Sequence, residues 1–152
     1  MFNQKIGVII ISVFVVLLIL LSFVLEGTPF DQKARAQDNA KSAKIQTLAT
    51  VINNRAYDKK SLPTTLSELN LTTENIDPET NEPFTYRSIS TTNYEICANF
   101  ATKMTKEDKS NHYAQMYGGQ NGPNPFIHEK GLVCFDYSAP EDYFKPTNTS
   151  VP

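Results

Sequence analysis

The chain has 152 residues, which suits one compact domain and a terminal segment, since a single hydrophobic core commonly organises about 100 to 150 residues. It carries 14 Lys and Arg against 16 Asp and Glu, a formal net charge of −2. Beyond residue 25 the balance is 13 − 16 = −3 and no basic stripe occurs, which excludes nucleic acid as a partner.

A long apolar segment follows a short flank at residues 1–5. Residues 6–25 read IGVIIISVFVVLLILLSFVL, with no charge, one Gly and two Ser. At about 1.5 Å per residue, a helix of this length spans the roughly 30 Å hydrocarbon core of a bilayer, and in lipid a helix satisfies its own backbone groups. The segment therefore predicts a single transmembrane helix.

A cleaved signal peptide is the main alternative for this segment. Lys5 precedes the apolar run, and the tripeptide at 34–36, Ala-Arg-Ala, has the small-x-small form of a cleavage site. However, the run is longer than the usual signal core of about 7 to 15 residues, and the tripeptide lies well beyond its end at Leu25. These features favour an uncleaved signal anchor.

The side of the membrane that the domain occupies depends on two opposing signals. Basic residues are more numerous after the anchor than before it, which alone favours a cytoplasmic domain, although long C-terminal domains translocate largely regardless of nearby charge. Cys97 and Cys134 lie in strand-like apolar runs, outside any C-x-x-C or Cys/His cluster. Such a pair suits one disulfide in an oxidising compartment, and two separate buried thiols in a cytosolic domain are the alternative. The balance predicts a Cys97–Cys134 disulfide and an extracytoplasmic domain.

Residues 26–57 are predicted to form a kink and a long amphipathic helix. Gly27 and Pro29 interrupt the apolar helix, and Asp31 is a potential cap for the next one. Apolar residues then recur with helical spacing, at Ile45, Leu48, Ala49 and Ile52. The upstream half is charged and rich in Ala, so we expect it to be helical but largely solvated, as a stalk.

The α+β domain is assigned to residues 58–137. Strand candidates lie at Phe84–Ile89, Tyr94–Phe100 and Gly131–Tyr137, the first two separated by a hairpin-length loop. Aromatic and aliphatic residues alternate in the second strand, so Cys97 lies on the opposite face, where a disulfide joins the sheet to a covering loop or an edge strand. The fold class we expect is α+β, with the long helix packed on an antiparallel sheet of three or four strands.

Two further stretches lack a clear periodicity of apolar residues. Residues 101–127 contain a charged stretch and a Gly/Asn/Pro-rich run, which indicate a surface excursion or a functional loop. Residues 138–152 contain three prolines and several Thr and Ser, so we expect a disordered tail.

Two short motifs between the long helix and the sheet resemble a known family. Residues 77–86, DPETNEPFTY, resemble the D-P-x-x-x-x-P-[YF]-x-Y segment of the major pseudopilins of type II secretion, and residues 62–69, LPTTLSEL, are similar to their L-P-x-x-L-x-x-L step. One transmembrane helix, a long amphipathic helix, a hairpin and a late disulfide also form the plan of type IV pilin-like proteins. The resemblance covers about residues 6–137, and it implies a pilin-like extracytoplasmic domain.

The anchor departs from this family at its start. Pilins and pseudopilins carry a G-[FY]-[ST]-x-x-E junction, which a prepilin peptidase cleaves just before the apolar helix. Here Gly7 is followed by Val8, and no Glu occurs within the helix. We therefore expect neither leader processing nor registration in a filament, and the resemblance implies a fixed membrane protein.

Residues that carry chemistry are few, and we predict no catalytic group, metal or cofactor. His112 and His128 have no partner at ligand spacing, which argues against zinc. Cys134 lies inside a strand-like run and not at a helix start, so a Cys-His hydrolase is disfavoured. The oxygen-rich turn at 77–82 is a potential calcium site, but it lacks the D-x-[DN]-x-[DN]-G pattern, which favours a solvated turn.

The aromatic residues of the 101–127 loop allow two interpretations. Tyr113, Tyr117 and Phe126 either form a recognition patch or fold back to cover the sheet, and we favour the second.

The function that these features favour is non-enzymatic. We expect a membrane-anchored extracytoplasmic structural or interaction protein, accessory to a pilus or secretion assembly, with membrane or cell-envelope proteins as partners. One alternative is an enzyme or small-ligand binder that uses the loop at 104–126. Another is a cytoplasm-facing adaptor, which predicts reduced cysteines.

Overall fold

A computed structural model of the chain describes residues 2–26, 28–71, 73–108, 112–117 and 122–145. The chain divides into two compact units, residues 1–35 and 36–152. The helices are α1 (Phe2–Glu26), α2 (Pro29–Lys59) and the short α3 (His112–Tyr117), and the strands are β1 (Thr85–Ser88), β2 (Asn93–Phe100) and β3 (Gly131–Ser138). The class is α+β, as the sequence predicts.

Helix α1 contains the apolar segment of the first unit. Its large apolar side chains between Ile6 and Leu21 are exposed, for example Ile11 at 65%. The predicted membrane span reaches Leu25, but the side chains of 23–26 lie outside the described residues. Within the part of the chain that the structure describes, no helix is both long and apolar enough to qualify as a bilayer span. This part of the expected architecture is therefore not borne out.

The start of α2 differs in detail from the predicted cap. Thr28 precedes the helix, and its Oγ1 accepts a hydrogen bond from the Asp31 N–H (3.3 Å), while Asp31 Oδ2 accepts one from the Thr28 N–H (3.2 Å). This reciprocal pair is a capping box, with Pro29 at the first helical position, where its missing N–H costs nothing. The Thr28 hydroxyl also donates to Asp31 Oδ2 at 2.7 Å, and this hydrogen bond, with that from the Thr28 N–H, lowers the pKa of the Asp31 carboxyl. Thr28, and not Asp31, is the cap.

The core of the second unit lies between α2 and the sheet. Ile45, Leu48 and Ile52 are fully buried at helical spacing. The sheet presents aromatic and aliphatic residues to the same cluster, among them Tyr94, Ile96, Ala98, Phe100, Phe135 and Tyr137. The Tyr94 hydroxyl also donates to the Ala49 carbonyl oxygen at 3.2 Å. The predicted packing of an amphipathic helix on an antiparallel sheet is confirmed.

The sheet has three strands in the order β1-β2-β3, each pair antiparallel. Cys97 of the central strand is paired directly with Cys134 of the edge strand β3, and the two residues form a disulfide with Cα atoms 4.0 Å apart. Side chains alternate between the two faces of a strand, so this disulfide lies on the face opposite the α2-facing core. The edge strand is thus the partner, one of the two placements that the sequence left open.

The described residues of the predicted loop at 101–127 include several that pack against the domain. Met104 and His128 form a two-residue antiparallel bridge, with N–H to carbonyl oxygen distances of 2.9 and 3.0 Å. Met104, Ala114 and Phe126 are buried. Isolated apolar residues within a polar sequence show no hydrophobic periodicity, so the sequence pattern did not predict the burial of Met104 and Ala114. The burial of Phe126 agrees with the interpretation favoured for it above.

The predicted disordered tail at 138–152 is wrong for its first eight residues. β3 extends to Ser138, and a 3₁₀ turn covers Glu141–Phe144. The Ala139 N–H donates to the Thr92 carbonyl oxygen at 2.8 Å, and the rings of Tyr143 and Tyr57 meet edge to face with centroids 5.2 Å apart. Residues 146–152 lie outside the described residues.

Reduction of the disulfide should lower the stability of the second unit without exposing its core. A cross-link between residues separated by 37 positions contributes roughly 3 to 4 kcal/mol by chain entropy. We expect a dithiol to lower the melting temperature of the wild type markedly, measured by circular dichroism. The double variant C97S/C134S is the control, because a dithiol should not shift its melting temperature. An equal shift in both proteins would contradict the assignment.

Candidate functional site

The charged half of α2 contains buried polar side chains. Asp38, Lys41 and Ser42 are 0, 1 and 0% exposed. Spacings of three and four residues place them on one face of the helix, in line with the apolar stripe that begins at Ile45. We call Asp38, Lys41, Ser42 and Lys44 the polar clamp. The expectation of a solvated stalk is therefore wrong from residue 38 onwards.

Asp38 binds the chain just after β2. Its Oδ1 accepts a hydrogen bond from the Ala101 N–H at 3.0 Å, and its Oδ2 accepts from the N–H and the hydroxyl of Thr102 at 2.7 and 2.6 Å. Three donors compensate a carboxylate for the water that it loses on burial. The loop that leaves β2 is thereby fixed to α2.

Lys41 connects α2 to the end of β2 and to the oxygen-rich turn at 77–82, which we call the acidic turn. Its Nζ donates to Glu79 Oε2 at 2.5 Å and to the Asn99 carbonyl oxygen at 2.6 Å, and it lies 3.6 Å from Asp77 Oδ2. The Asp77 side chain is 9% exposed, whereas that of Glu79 is 41% exposed. Two acidic side chains of the turn that was considered above as a calcium site thus face an ammonium of the same chain. Lys41 offsets part of the negative charge of this turn, which is therefore not simply solvated.

The other two clamp residues reach further segments. Lys44 Nζ donates to the carbonyl oxygens of Thr73 and Ile76 at 2.9 and 2.8 Å, and Ser42 Oγ donates to that of Pro125 at 2.7 Å. Four polar residues of one helix therefore hold the segment at 73–79, the end of β2 and the loop at 101–127. The clamp binds distant segments of the chain to one another.

His128 is a buried titratable group outside the clamp. It is 5% exposed, its ring stacks on Phe100 with centroids 3.8 Å apart, and its Nε2 has no hydrogen-bond partner among the described residues. Burial lowers the pKa of the imidazole, and the hydrogen bond with the Glu129 carbonyl oxygen and the nearby Asp38 carboxylate oppose this only in part. The other histidine, His112, is exposed on α3.

The aromatic residues of the loop divide between the two interpretations. Phe126 is 1% exposed and folds back into the domain, while Tyr113 stacks on it with centroids 5.1 Å apart and stays 46% exposed. The side chain of Tyr117 lies outside the described residues.

Two shallow depressions open on the second unit. One of about 420 Å³ is lined by Lys60, Leu62, Phe144 and hydroxyl-bearing residues, and one of about 320 Å³ lies between residues 64–67 and β1. Neither is lined by the 104–126 loop. The ligand-binding alternative assigned to that loop gains no support from them.

The two motifs that resemble pseudopilins meet in space. Tyr86, at the end of the first motif, donates its hydroxyl hydrogen to the carbonyl oxygen of Pro63, in the second, at 2.8 Å. Burial raises the pKa of Tyr86 to about 12, so the hydroxyl keeps its proton and stays a donor.

The face of the sheet opposite the core carries the disulfide and several charges. Arg87 Nε of β1 lies 2.8 Å from Glu95 Oε1 of β2, and Asp136 of β3 is paired directly with Glu95. Leu132, on the same face of β3, is 73% exposed. We call this surface the outer sheet face, made of Arg87, Glu95, Cys97, Leu132, Cys134 and Asp136.

Comparison with known proteins adds no relative: no family model, no curated protein and no solved structure matches this chain. The pilin-like resemblance therefore stays a prediction from its short motifs.

Replacing Asp38 with Asn tests the clamp at its best-bonded member. The amide presents an NH₂ group to backbone donors and leaves at least one of them unsatisfied, which should lower the free energy of unfolding by about 2 to 3 kcal/mol. Urea denaturation measures the change. Asp58→Asn, on the exposed end of the same helix, is the matched control and should change stability little. Equal effects of the two variants would contradict the clamp.

The two histidines offer a matched test of pH dependence. Because the pKa of His128 is lower in the folded chain than in the unfolded one, the unfolded chain binds more protons once the pH falls through the unfolded pKa of about 6.5. Stability should therefore be full above that pH and decrease from about pH 7 towards pH 5. His128→Gln should remove this decrease in denaturation experiments, whereas His112→Gln should retain it. A slope that persists in His128→Gln would assign it to another group.

Proposed function

We propose that this chain is a membrane-anchored structural or interaction protein whose second unit acts outside the cytoplasm. The observation that carries the proposal is α1, whose large apolar side chains between Ile6 and Leu21 are exposed without an intervening charge. A continuous apolar surface of this size is unfavourable in water and marks a membrane or protein contact. A helix that is apolar on every face fits a lipid environment best.

The disulfide supports an extracytoplasmic location for the second unit. Cysteine pairs persist as disulfides in oxidising compartments and are rare in the cytosol. Cys134 lies on the exposed outer sheet face, where a cytosolic reductant would have access to it. The cytoplasm-facing adaptor requires the two thiols to be free, so the pair favours an extracytoplasmic domain.

The state of the buried charges supports an interaction role over catalysis. Asp38 and Lys41 are directed at backbone groups and at the acidic turn. Catalytic groups usually face a cavity that admits a substrate. The polar clamp instead makes a rigid scaffold, which leaves the outer sheet face as the surface available to a partner.

The resemblance to pseudopilins suggests which partner to seek. We propose an accessory of a pilus-like or secretion assembly that stays fixed in the membrane, because Gly7 is followed by Val8 and no Glu occurs among residues 8–25 of the apolar helix. The partners are then other membrane or cell-envelope proteins.

Flotation of the purified full chain with phospholipid vesicles tests the anchor. We expect the wild type to float with the vesicles and the double variant V13D/L17D to stay in the aqueous phase, because a charged side chain is costly in the hydrocarbon region. The control I89D/L132D places the same charges at exposed apolar positions of the second unit and should float like the wild type. A wild type that stays in the aqueous phase would refute the anchor.

The interaction role needs a separate measurement, made in intact cells. Cross-linking followed by affinity capture of the full-length chain should recover cell-envelope proteins with the wild type and lose them with V13D/L17D. Recovery of the bait alone, from wild-type cells with the anchor intact, would remove the interaction role while leaving the anchor in place.

A further inference from the structure

Four potential metal ligands form a two-by-two block on the outer sheet face. In the register of β2 and β3, Glu95 is paired with Asp136, and Cys97 is paired with Cys134. Residues two apart on a strand share a face, so all four side chains project from the same side of the sheet. The ligand atoms of Glu95, Cys97 and Cys134 lie within 4.8 Å of one another.

We propose that this block becomes a binding site for a thiophilic divalent cation such as Zn²⁺ when the Cys97–Cys134 disulfide is reduced. Two thiolates and two carboxylates make a four-ligand set of the kind that Zn²⁺ accepts. The inference rests on the sheet register and not on the membrane anchor.

The spacing of the two cysteines suits such a site. Zinc binds a thiolate sulfur at about 2.3 Å, so two sulfurs in a tetrahedral site lie about 3.8 Å apart. The Cα atoms of Cys97 and Cys134 are 4.0 Å apart, and directly paired side chains of adjacent strands project side by side. Once the S–S bond is broken, the sulfurs reach the required distance by side-chain rotation, without movement of the strands.

The charges of the block also favour a cation. Glu95 and Asp136 are like charges directly opposite each other, an unfavourable pair in an antiparallel sheet. Arg87 neutralises Glu95 from the β1 side through Oε1, whereas Asp136 forms no ion pair among the described residues. A cation between the carboxylates would relieve this repulsion, using the second oxygen of Glu95.

The disulfide keeps the site closed until electrons are supplied. A dithiol reductant transfers two electrons and two protons to the S–S bond, giving two thiols, and becomes a cyclic disulfide itself. Each thiol then releases its proton to water as its sulfur bonds to the metal. Because a coordinating sulfur must be a thiolate, binding releases two protons per metal ion and strengthens as the pH rises.

The fold should survive the reduction. The disulfide lies on the face opposite the core, and the core and the polar clamp hold α2 and the loops without it. The four ligand residues therefore keep their backbone positions after reduction, since the pairing of β2 with β3 fixes them.

Cobalt titration of the full chain in detergent micelles tests the proposal. The protein is reduced with a dithiol and freed of it under nitrogen. Addition of Co²⁺ should produce thiolate-to-cobalt charge-transfer absorption, which Zn²⁺ should abolish by displacement. Zn²⁺ should also raise the melting temperature of the reduced protein, and oxidised protein should show neither effect.

Variants identify the ligands. C97S should lose the charge-transfer band, and E95Q and D136N should each weaken Co²⁺ binding by about tenfold or more, the usual size of a lost contribution to a metal site. R87Q should strengthen binding, because it frees both oxygens of Glu95. The control is E82Q, which replaces an exposed Glu of the acidic turn and should bind Co²⁺ like the wild type.

Two results would overturn the proposal. One is a reduced wild type without the charge-transfer band, whether it stays folded or unfolds, since the sheet must persist to present the ligands. The other is unchanged Co²⁺ affinity in both E95Q and D136N, which would show that the carboxylates are not ligands and that two thiols alone bind the metal.

Discussion

The buried ammonium of Lys41 is the interaction on which the rest of the second unit depends. An ion taken from water costs several kcal/mol unless it is paired and hydrogen-bonded, and a partner lost from such a group leaves that cost uncompensated. Lys41 meets the requirement only where the end of β2 and the acidic turn converge on it, through the Asn99 carbonyl oxygen, Glu79 and Asp77. The position of α2 is therefore fixed by directional bonds at one end and by apolar packing along the stripe that begins at Ile45.

These two kinds of contact do different work. Apolar burial stabilises the helix against the sheet but tolerates small shifts, because it is non-directional. The hydrogen bonds of Asp38 and Lys41 tolerate no shift along the helix axis, since a displacement of one residue would turn the side chains away from their loop partners. A similar combination fixes Tyr94, whose ring is buried in the core while its hydroxyl bonds to α2. Register and stability are thus supplied by different residues of the same helix.

The sequence predicted what periodicity encodes. The apolar stripe of α2 and the alternation of β2 follow from spacings of 3.6 and 2 residues. The cysteine pairing was predicted instead from two cysteines in strand-like runs outside any metal or redox motif, and the structure has all three features. The burial of Asp38 and Lys41 escaped prediction because a charged residue in an Ala-rich helix is normally solvated, and only distant loops make its burial possible. The order of residues 138–145 escaped for the same reason, since Tyr143 packs on Tyr57, far away in the sequence. The block on the outer sheet face arises from strand register, which no linear spacing displays.

The two faces of the sheet therefore have separate roles: one forms the core, and the other can change chemically without disturbing it. Residues that face α2 are committed to the core, so any change there alters the free energy of unfolding. Cys97 and Cys134 face the other way, and the loop between them is held separately by Asp38 and by the bridge between Met104 and His128. Breaking the disulfide therefore changes the chemistry of the outer sheet face, from a closed S–S bond to two thiols beside two carboxylates, while the contacts that position the strands persist.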